Sequence, residues 1–439
     1  PPPADVAVPF VQVDVTEKVP AYFSRLLTGT GEVPVHATAA CGLTSTPGPV
    51  PIIVLHPTDS ATIDMRGAPS LIQVVGGPQQ SIQVNSNNPS AVTTGSLSTV
   101  DLTLGGPDNT GSSFGTFGGQ ASQPGSVTLG STGKWLYPHL PISDPYRNVQ
   151  YPAVPTTMGV SVSRNFTQDG CPDTTGCTEY QPGYYPSGIK VQDATAIFVP
   201  GLYYIGGQGA NHGLDLGPNS IVRIATGPGL VRDDGNLGVT FYFSGNGSTS
   251  VNIDANSGKP HGSLQVCTSS PTNCVVQYHK DGSSEFGVAS LALKCPAGEN
   301  PPDEVPATIP GNVLLAPCTG AYGDPARDNR GFLYFQDRAV AVDGSRGGGV
   351  PSWQGGGSTL AAGFMYFHQC HADHTGTEPC DAPTAGFGDV FHMGGTPGSG
   401  SYAVGSLVTD KIFENGNPGL LMILDPDNTF PQYKIVFFH

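Results

Sequence analysis

The hydrophobic pattern of this chain is a succession of short apolar runs separated by Gly, Asn or Pro. The runs are rich in β-branched and aromatic residues, and clear examples lie at 71–77, 82–86, 189–191, 196–205 and 239–243. Runs of this length, bounded by turn residues, are typical of β-strands and too short for helices. The pattern therefore predicts an all-β fold.

The spacing of the runs adds an expectation about architecture. Turn residues recur about every ten residues, which suits either the faces of a parallel β-helix or the strands of a β-sandwich. A short strand cannot bury its apolar face by itself, whereas strands stacked about 4.8 Å apart make a continuous core. We predict a parallel β-helix, or solenoid, with β-sandwich domains as the alternative.

Three segments are predicted along the chain. Residues 1–45 are predicted to form a strand–helix–strand segment. Apolar and polar residues alternate at 11–16 and 33–39, as they do in strands. Residues 19–27 are the helix candidate, with Pro20 in the first turn and Gly29 as the stop. Residues 46–155 hold the first β-rich rungs and, at 137–155, a Pro-rich connector. Residues 156–439 form the main β-helical region, with a disulfide-pinned insertion at about 255–325.

Composition narrows the class of protein. Gly occurs 61 times and Pro 42 times in 439 residues, which fits many tight turns, while 37% apolar residues suffice for a core. Charged residues are only 12%, a share typical of secreted and cell-surface proteins. The net charge of −16 argues against binding nucleic acid or a polybasic contact with anionic membrane. No apolar stretch approaches the ~20 residues of a transmembrane helix, so we expect none here.

Cysteines and sequons fit an extracellular location. Eight of the nine cysteines fall into sequence-neighbour pairs that can close small disulfide loops, while Cys41 has no evident partner. The predicted pairs are Cys171–Cys177, Cys267–Cys274, Cys295–Cys318 and Cys370–Cys380. The sequons at Asn165 and Asn246 are glycosylation candidates, or chance matches in a chain rich in Ser, Thr and Asn.

Two groups of residues are candidate metal ligands. His368, His371 and His374 have a spacing that can bind zinc or copper, the alternative being that Cys370 bridges to Cys380 and the histidines decorate a polar loop. Asp425, Asp427 and Asn428 offer oxygens for a structural calcium ion, the alternative being ordinary turns that cap strand ends. Calcium is the one cofactor that the sequence suggests, and we otherwise expect none.

One group of residues raises the question of catalysis. Some polysaccharide-cleaving β-helices use paired carboxylates or an Arg/Asp set on one face, and Asp337, Arg338 and Asp343 can be read in this way. A buried Asp–Arg pair that fixes a turn explains Asp337 and Arg338 better. We therefore expect no enzyme activity.

Several motifs resemble the TadG-like proteins of bacterial Tad/Flp pilus assembly. GFLYFQDR at 331–338 is the most specific match, and others are VQVDVT at 11–16, IVLHP at 53–57, PGYYPSGI at 182–189 and VPGLYYI at 199–205. The likeness covers most of the chain. It departs from the family in lacking the membrane helix before residue 11 and in the Cys-rich stretch 255–325. The resemblance implies a place in the cell envelope or at the surface, and no established activity.

The function expected from these observations is structural or adhesive. The chain is expected to be an extracellular subunit of a Tad-type pilus or related filament, with itself, other pilus subunits or surface glycans as partners. Strand edges can add a neighbour's strand, and Val11, Val13 and Val15 are the docking candidates. The rival functions are a secreted carbohydrate-active β-helix enzyme and a monomeric sugar-binding adhesin.

Overall fold

The computed structural model of this chain is built from strands. It describes residues 10–20, 32–47, 50–67, 69–118, 120–147, 149, 151–165, 176–199, 201–206, 213–217, 220–224, 239–244, 251–255, 263–266, 276–280, 283–286, 312–315, 332–338, 351–355, 359–368, 390–395, 400–424 and 431–438. Within these ranges there is no helix, and the prediction of an all-β chain is confirmed.

The strands are short, and their bounds follow the predicted apolar runs. The first seventeen are β1 (Phe10–Pro20), β2 (Glu32–Pro47), β3 (Ile52–Val54), β4 (Ile63–Met65), β5 (Leu71–Gly76), β6 (Gln80–Val84), β7 (Val92–Thr94), β8 (Thr99–Gly105), β9 (Ser113–Thr116), β10 (Val127–Thr128), β11 (Trp135–Leu136), β12 (Ser161–Arg164), β13 (Cys177–Tyr180), β14 (Gly183–Tyr185), β15 (Ile189–Val191), β16 (Thr195–Phe198) and β17 (Gly201–Ile205).

The remaining strands continue this rhythm to the end of the chain. They are β18 (Leu214–Leu216), β19 (Ile221–Ile224), β20 (Val239–Phe243), β21 (Val251–Ala255), β22 (Ser263–Val266), β23 (Val276–Lys280), β24 (Ser283–Phe286), β25 (Asn312–Leu315), β26 (Phe332–Gln336), β27 (Ser352–Gly355), β28 (Thr359–Phe367), β29 (Val390–Gly395), β30 (Gly400–Thr409), β31 (Lys411–Gly416), β32 (Gly419–Leu424) and β33 (Pro431–Phe438).

The chain divides into two compact units, and the smaller one joins its two ends. This unit comprises residues 1–47 and 431–439 and holds a three-stranded antiparallel sheet in the order β1-β2-β33. The predicted strands at 11–16 and 33–39 lie in β1 and β2. Val19 and Pro20, predicted to begin a helix, are instead the last residues of β1, and residues 21–31 lie outside the described ranges.

The larger unit, residues 48–430, is built mainly from parallel strands. One sheet has 15 strands, with the main path β10-β8-β5-β32-β30-β28-β26-β20-β17-β14, and a second has eight, in the order β15-β18-β21-β27-β29-β31-β4-β7. A four-stranded sheet runs β12-β13-β16-β19. Within the predicted insertion at 255–325, β22, β23 and β24 form a separate antiparallel sheet.

The order of strands in space departs from their order in the chain at one place. In the eight-stranded sheet, strands from β15 to β31 follow one another as the chain does, and β4 and β7 come next. In the 15-stranded sheet, β30 and β32 likewise lie beside β3 and β5. Strands from residues 50–136 therefore extend sheets that residues 183–424 begin.

The core of the larger unit is lined by aromatic and aliphatic side chains that stack from strand to strand. Tyr203, Phe241 and Tyr334 occupy one register row of β17, β20 and β26, and all three are fully buried. Their ring centroids are 5.2 and 6.1 Å apart. Alternation along each strand sends the next residue to the opposite face of the sheet.

A glycine pair lets two neighbouring strands lie close together. Gly363 in β28 is in register with Gly405 in β30, and Gly405 has φ +131°, a backbone conformation that L side chains rarely adopt. A Cβ at Gly405 would lie 2.2 Å from the carbonyl oxygen of Gly363. These two strands therefore require glycine at this point.

We predict that Gly405→Ala lowers the free energy of unfolding by more than about 1 kcal/mol, because it adds backbone strain and a clash with a backbone atom. Denaturant unfolding followed by circular dichroism measures the change. Gly125→Ala is the matched control, since a Cβ there meets no atom within 4 Å. Equal stability of the two variants would contradict the close approach at Gly405.

Candidate functional site

The structure describes only part of the predicted sites. His371, His374, Asp425, Asp427, Asn428, Asp343 and Asn246 lie outside the described residues, as do seven cysteines of the four predicted pairs. Cys177 is described and is disulfide-bonded, but its predicted partner Cys171 is outside the described ranges, so the pairing stays a prediction.

Asn165 is exposed, as a glycosylation site requires. Cys41 lies in β2, opposite Val11 of β1.

The best-defined polar site lies where the Pro-rich connector crosses the outer face of the 15-stranded sheet. We call the apolar group beneath it the outer cluster. Its buried members come from the connector and from strands β3, β20, β26, β28 and β30. They are Val50, Ile53, Leu55, Tyr146, Tyr242, Phe332, Phe335, Phe364, Tyr366 and Val408.

Tyr146 is the connector's anchor in this cluster. Its ring lies 4.8 Å from Phe332, 5.4 Å from Phe364 and 5.5 Å from Tyr366. Its hydroxyl lies 2.7 Å from the Ser406 hydroxyl, so the polar end of the ring is also satisfied. The connector thus covers the outer face of the sheet as a second layer.

Arg338, a candidate for carbohydrate chemistry, holds the connector in place. Its guanidinium donates hydrogen bonds to the carbonyl oxygens of Tyr146, Arg147 and Val149 at 3.2, 2.5 and 2.5 Å. The same group lies 4.9 Å from the ring centroid of Tyr151. Arg338 is 5% exposed, so these contacts satisfy a buried charge and leave little of it open to a substrate.

Two carboxylates accept hydrogen bonds from tyrosines of the outer cluster, and one of them belongs to the connector. The Tyr242 hydroxyl donates to Asp337 at 2.7 Å, and the Tyr366 hydroxyl donates to Asp144 of the connector at 2.6 Å. Burial first, and the neighbouring carboxylate second, raise the pKa of Tyr242 and Tyr366 above the usual range of a phenol. Both tyrosines therefore remain neutral donors at any physiological pH.

His368, a candidate metal ligand, pairs with a carboxylate. Its Nδ1 lies 2.6 Å from an Asp410 carboxylate oxygen, and both side chains are almost fully buried. His56, which follows β3, is also buried, and its Nε2 lies 3.3 Å from an Asp59 carboxylate oxygen. Asp59 also forms an ion pair with Lys411. These contacts tie the strand ends after β28, β30 and β3 together.

One buried carboxyl, Glu414, has no charged neighbour of this kind. It is in register with Met65 of β4 and Met393 of β29, and its side chain is fully buried. Neither carboxyl oxygen meets the geometry of a hydrogen bond among the described residues, although Ser70 lies close enough to oppose the effect of burial. Burial raises the pKa of Glu414 to about 8. The sequence does carry a signal that Glu414 is buried. Glu414 is two residues after buried Ile412 in β31, and alternate residues of a strand lie on the same face.

The hydrogen bonds described above join elements of the fold to one another. Arg338 binds the connector, Asp337 accepts from Tyr242, and His368 pairs with Asp410 at the strand ends. In the part of the chain that the structure describes, no three His, Cys, Asp or Glu side chains are placed to hold a metal ion. The same residues include no helix long and apolar enough to cross a membrane.

Several aromatic residues of the turn-rich stretches are buried or half-buried. Tyr185 and Trp353 are 8% and 3% exposed, and half-buried Trp135 stacks on Phe114 with centroids 4.8 Å apart. Tyr184 is half-buried beside Tyr204, with ring centroids 5.6 Å apart. Tyr137 is 41% exposed.

In comparisons with known proteins, no family model, no curated protein and no solved structure matches this chain.

We predict that Arg338→Ala lowers the free energy of unfolding by about 3 kcal/mol, because three connector carbonyls lose a charged donor in a buried site. Urea unfolding measures the loss. Lys190→Ala is the control, since the Lys190 side chain is 62% exposed and its ion-pair partner Asp215, 3.5 Å away, is 33% exposed. A loss at Arg338 no larger than at Lys190 would show that the connector does not depend on this contact.

Glu414 makes the free energy of unfolding fall as pH rises. Its folded-state pKa lies above that of the unfolded chain, so the native protein binds more protons between about pH 4.5 and 8. Stability therefore falls as pH rises through this window and levels off above it. We predict that Glu414→Gln, which stays neutral, exceeds wild type at pH 9 by several kcal/mol and matches it near pH 4.5.

Thermal unfolding at a series of pH values tests this. Glu179→Gln is the control, because Glu179 is buried but paired with Arg164 at 2.8 Å, so neutralising it should lower stability at neutral pH. If Glu414→Gln follows the wild-type pH profile, the carboxyl is not buried as described.

Proposed function

We propose that this protein is a non-catalytic, extracellular structural or adhesive subunit of a Tad-type pilus or a related surface filament. The proposal begins from its resemblance to TadG-like proteins. The observation that carries it furthest is the hairpin of β1 and β2, whose two faces differ and whose outer edge has no partner among the described strands, as contact with another subunit requires.

A stiff scaffold is part of the proposal. We propose that the two large sheets are faces of a parallel β-helical solenoid. The support is that the chain passes repeatedly from the 15-stranded to the eight-stranded sheet, as from β17 to β18 and from β20 to β21. Each new strand pairs in parallel with the previous strand of the same sheet, β20 with β17 and β21 with β18. A β-sandwich is built from antiparallel strands, so this pairing favours the solenoid.

The hairpin extends beyond the third strand of its sheet. β1 pairs with β2 from Phe10 to Pro20, whereas β33 pairs with β2 only from Ala40 to Pro47. Residues 32–39 of β2 thus have β1 as their partner among the described strands. Two-stranded ribbons are marginally stable in water unless a face is covered, so this part of the hairpin gains from a partner.

The two faces of the hairpin differ. On one face Thr38 donates to Asp14 at 2.6 Å, and the Thr16 hydroxyl lies 2.8 Å from His36 Nδ1. On the other face Val15 and Val35 are 54% and 50% exposed, and exposed Glu17 is the register partner of Val35. Valine also occupies positions 11 and 13 of the β1 sequence. Exposed valines beside an edge on which no described strand pairs suit docking to another subunit by strand addition.

The rival functions have less support. Arg338 is engaged in holding the connector and Asp337 accepts from Tyr242, which disfavours the carbohydrate-active enzyme. The sugar-binding adhesin keeps Tyr137, Tyr184 and Tyr204 as candidate platforms among the described residues, so surface glycans stay a secondary partner in this proposal.

We predict that Val15→Lys abolishes filament assembly, because a charge on the apolar face of the hairpin must be desolvated on docking. Electron microscopy and sedimentation of purified full-length protein measure assembly. Thr16→Lys is the matched control, with the same new charge one residue along on the opposite face, and it should assemble. Normal filaments from Val15→Lys, or none from wild type under any condition, would contradict the proposal.

A further inference from the structure

Two stretches of the larger unit meet along one line of strand pairs. We call residues 50–142 the N-terminal segment, residues 144–424 the C-terminal segment, and the line where they pair the seam. Three strand pairs cross it, namely β3 with β30, β4 with β31, and β5 with β32. In the smaller unit, β2 and β33 pair across the same division of the chain.

The seam has the same backbone pairing as the strands on either side of it. Leu55 N–H donates to Thr409 O at 2.8 Å across the seam, and Asn85 N–H donates to Val54 O at 2.9 Å within the N-terminal segment. Four further bonds cross the seam at 2.7–3.0 Å, from the N–H groups of Arg66, Leu71, Leu407 and Ile412. All three pairs are parallel, so any copy of the C-terminal segment presents an edge that any copy of the N-terminal segment fits.

The connector changes its attachment from one segment to the other at a single residue. On the N-terminal side, Asn85 Nδ2 donates to Ile142 O at 2.7 Å, and Ile142 N–H donates back to Asn85 Oδ1 at 3.0 Å. On the C-terminal side, Asp144 and Tyr146 bind Tyr366 and Ser406. Exposed Ser143 stands between these attachments. The side-chain hydrogen bonds of the connector therefore divide at Ser143, which is placed as a hinge beside the seam, while the outer cluster joins apolar side chains of both segments.

The seam also holds a buried ionisable group at an unfavourable position. Glu414 of β31 lies opposite Met65 of β4, while Asp64 of β4 pairs with Arg66, the next residue after β4, whose guanidinium lies 5.8 Å from the ring centroid of Phe413 in β31. β29, on the other side of β31, contributes His392, which lies against Phe413 rather than Glu414. A carboxyl that must stay protonated to remain buried makes this line of pairing weaker than an apolar one.

We propose that the seam is an exchange surface between copies of this chain, in which the N-terminal segment of one copy pairs with the C-terminal segment of a second. This deepens the proposed filament function and rests on it for its biological role. The two sides of the seam are different surfaces, so exchange is head-to-tail, and it closes into a dimer or continues as an open polymer. The partner is a second copy of this chain, because its C-terminal segment offers the same strands, in the same register, that the N-terminal segment pairs with in its own chain.

Paired cysteines test the exchange directly. Asp64 of β4 and Phe413 of β31 are register partners across the seam, at the spacing of adjacent strands, which suits a disulfide. Asp64→Cys and Phe413→Cys chains are unfolded, mixed, refolded together and oxidised. We expect a covalent dimer that joins positions 64 and 413 of different chains, located by peptide mass spectrometry and absent from either variant refolded alone.

Two controls fix the interpretation. The double variant Asp64→Cys/Phe413→Cys should close the same bond within one chain, which shows that the geometry permits it. A mixture of Asp64→Cys with Thr93→Cys should give no dimer, because Asp64 and Thr93 are register partners inside the N-terminal segment and stay in separate copies after exchange.

The outcomes separate this inference from the proposed function. Failure to form the 64–413 dimer, while the double variant closes its bond, overturns the exchange even if wild type forms filaments. Formation of the dimer by a protein that never forms filaments supports the exchange and contradicts the filament function.

Discussion

The parallel pairing of very short strands is the constraint on which this structure depends. Strands such as Ile63–Met65 and Ile189–Val191 have three residues each, too few to hold a fold through contacts of their own. Each gains its backbone hydrogen bonds and its apolar contacts from the strands on either side. The register is kept across most strand pairs, so that Tyr203, Phe241 and Tyr334 stack in one row, and it shifts within the pairs β26/β28, β5/β8 and β6/β9.

The outer face of the 15-stranded sheet follows from the same constraint. Alternation places Tyr242, Phe335 and Tyr366 on the face opposite the main core, where they need a cover. The connector supplies it. Arg338 and Asp144 fix the connector to the sheet, Asp337 accepts from Tyr242 of β20, and these hydrogen bonds offset the cost of desolvating the charged groups.

Much of this fold can be read from the sequence, because local pattern determines where strands begin and end. The runs at 189–191 and 239–243 became β15 and β20 with those bounds. Val19 and Pro20 were wrongly assigned to a helix, because strand pairing with β2 outweighed the turn signals around them. Pairing between Ile52 and Leu407 could not be predicted, since no local pattern records which distant strand lies alongside. The candidate site was partly predictable: Asp337 and Arg338 were expected to fix a turn, but the connector carbonyls that bind Arg338 carry no side-chain signal.

The central claim is that residues near 52 and residues near 407 belong to one continuous sheet, and amide hydrogen exchange at single-residue resolution tests it most directly. The N–H groups of Leu55 and Leu407 donate across the seam at 2.8 and 2.7 Å, and that of Asn85 donates within one segment. The account predicts strong protection at all three, with Leu55 and Leu407 losing theirs first as pH rises. Exchange of Leu55 and Leu407 at the rate of an unstructured peptide, while Asn85 stays protected, would contradict it.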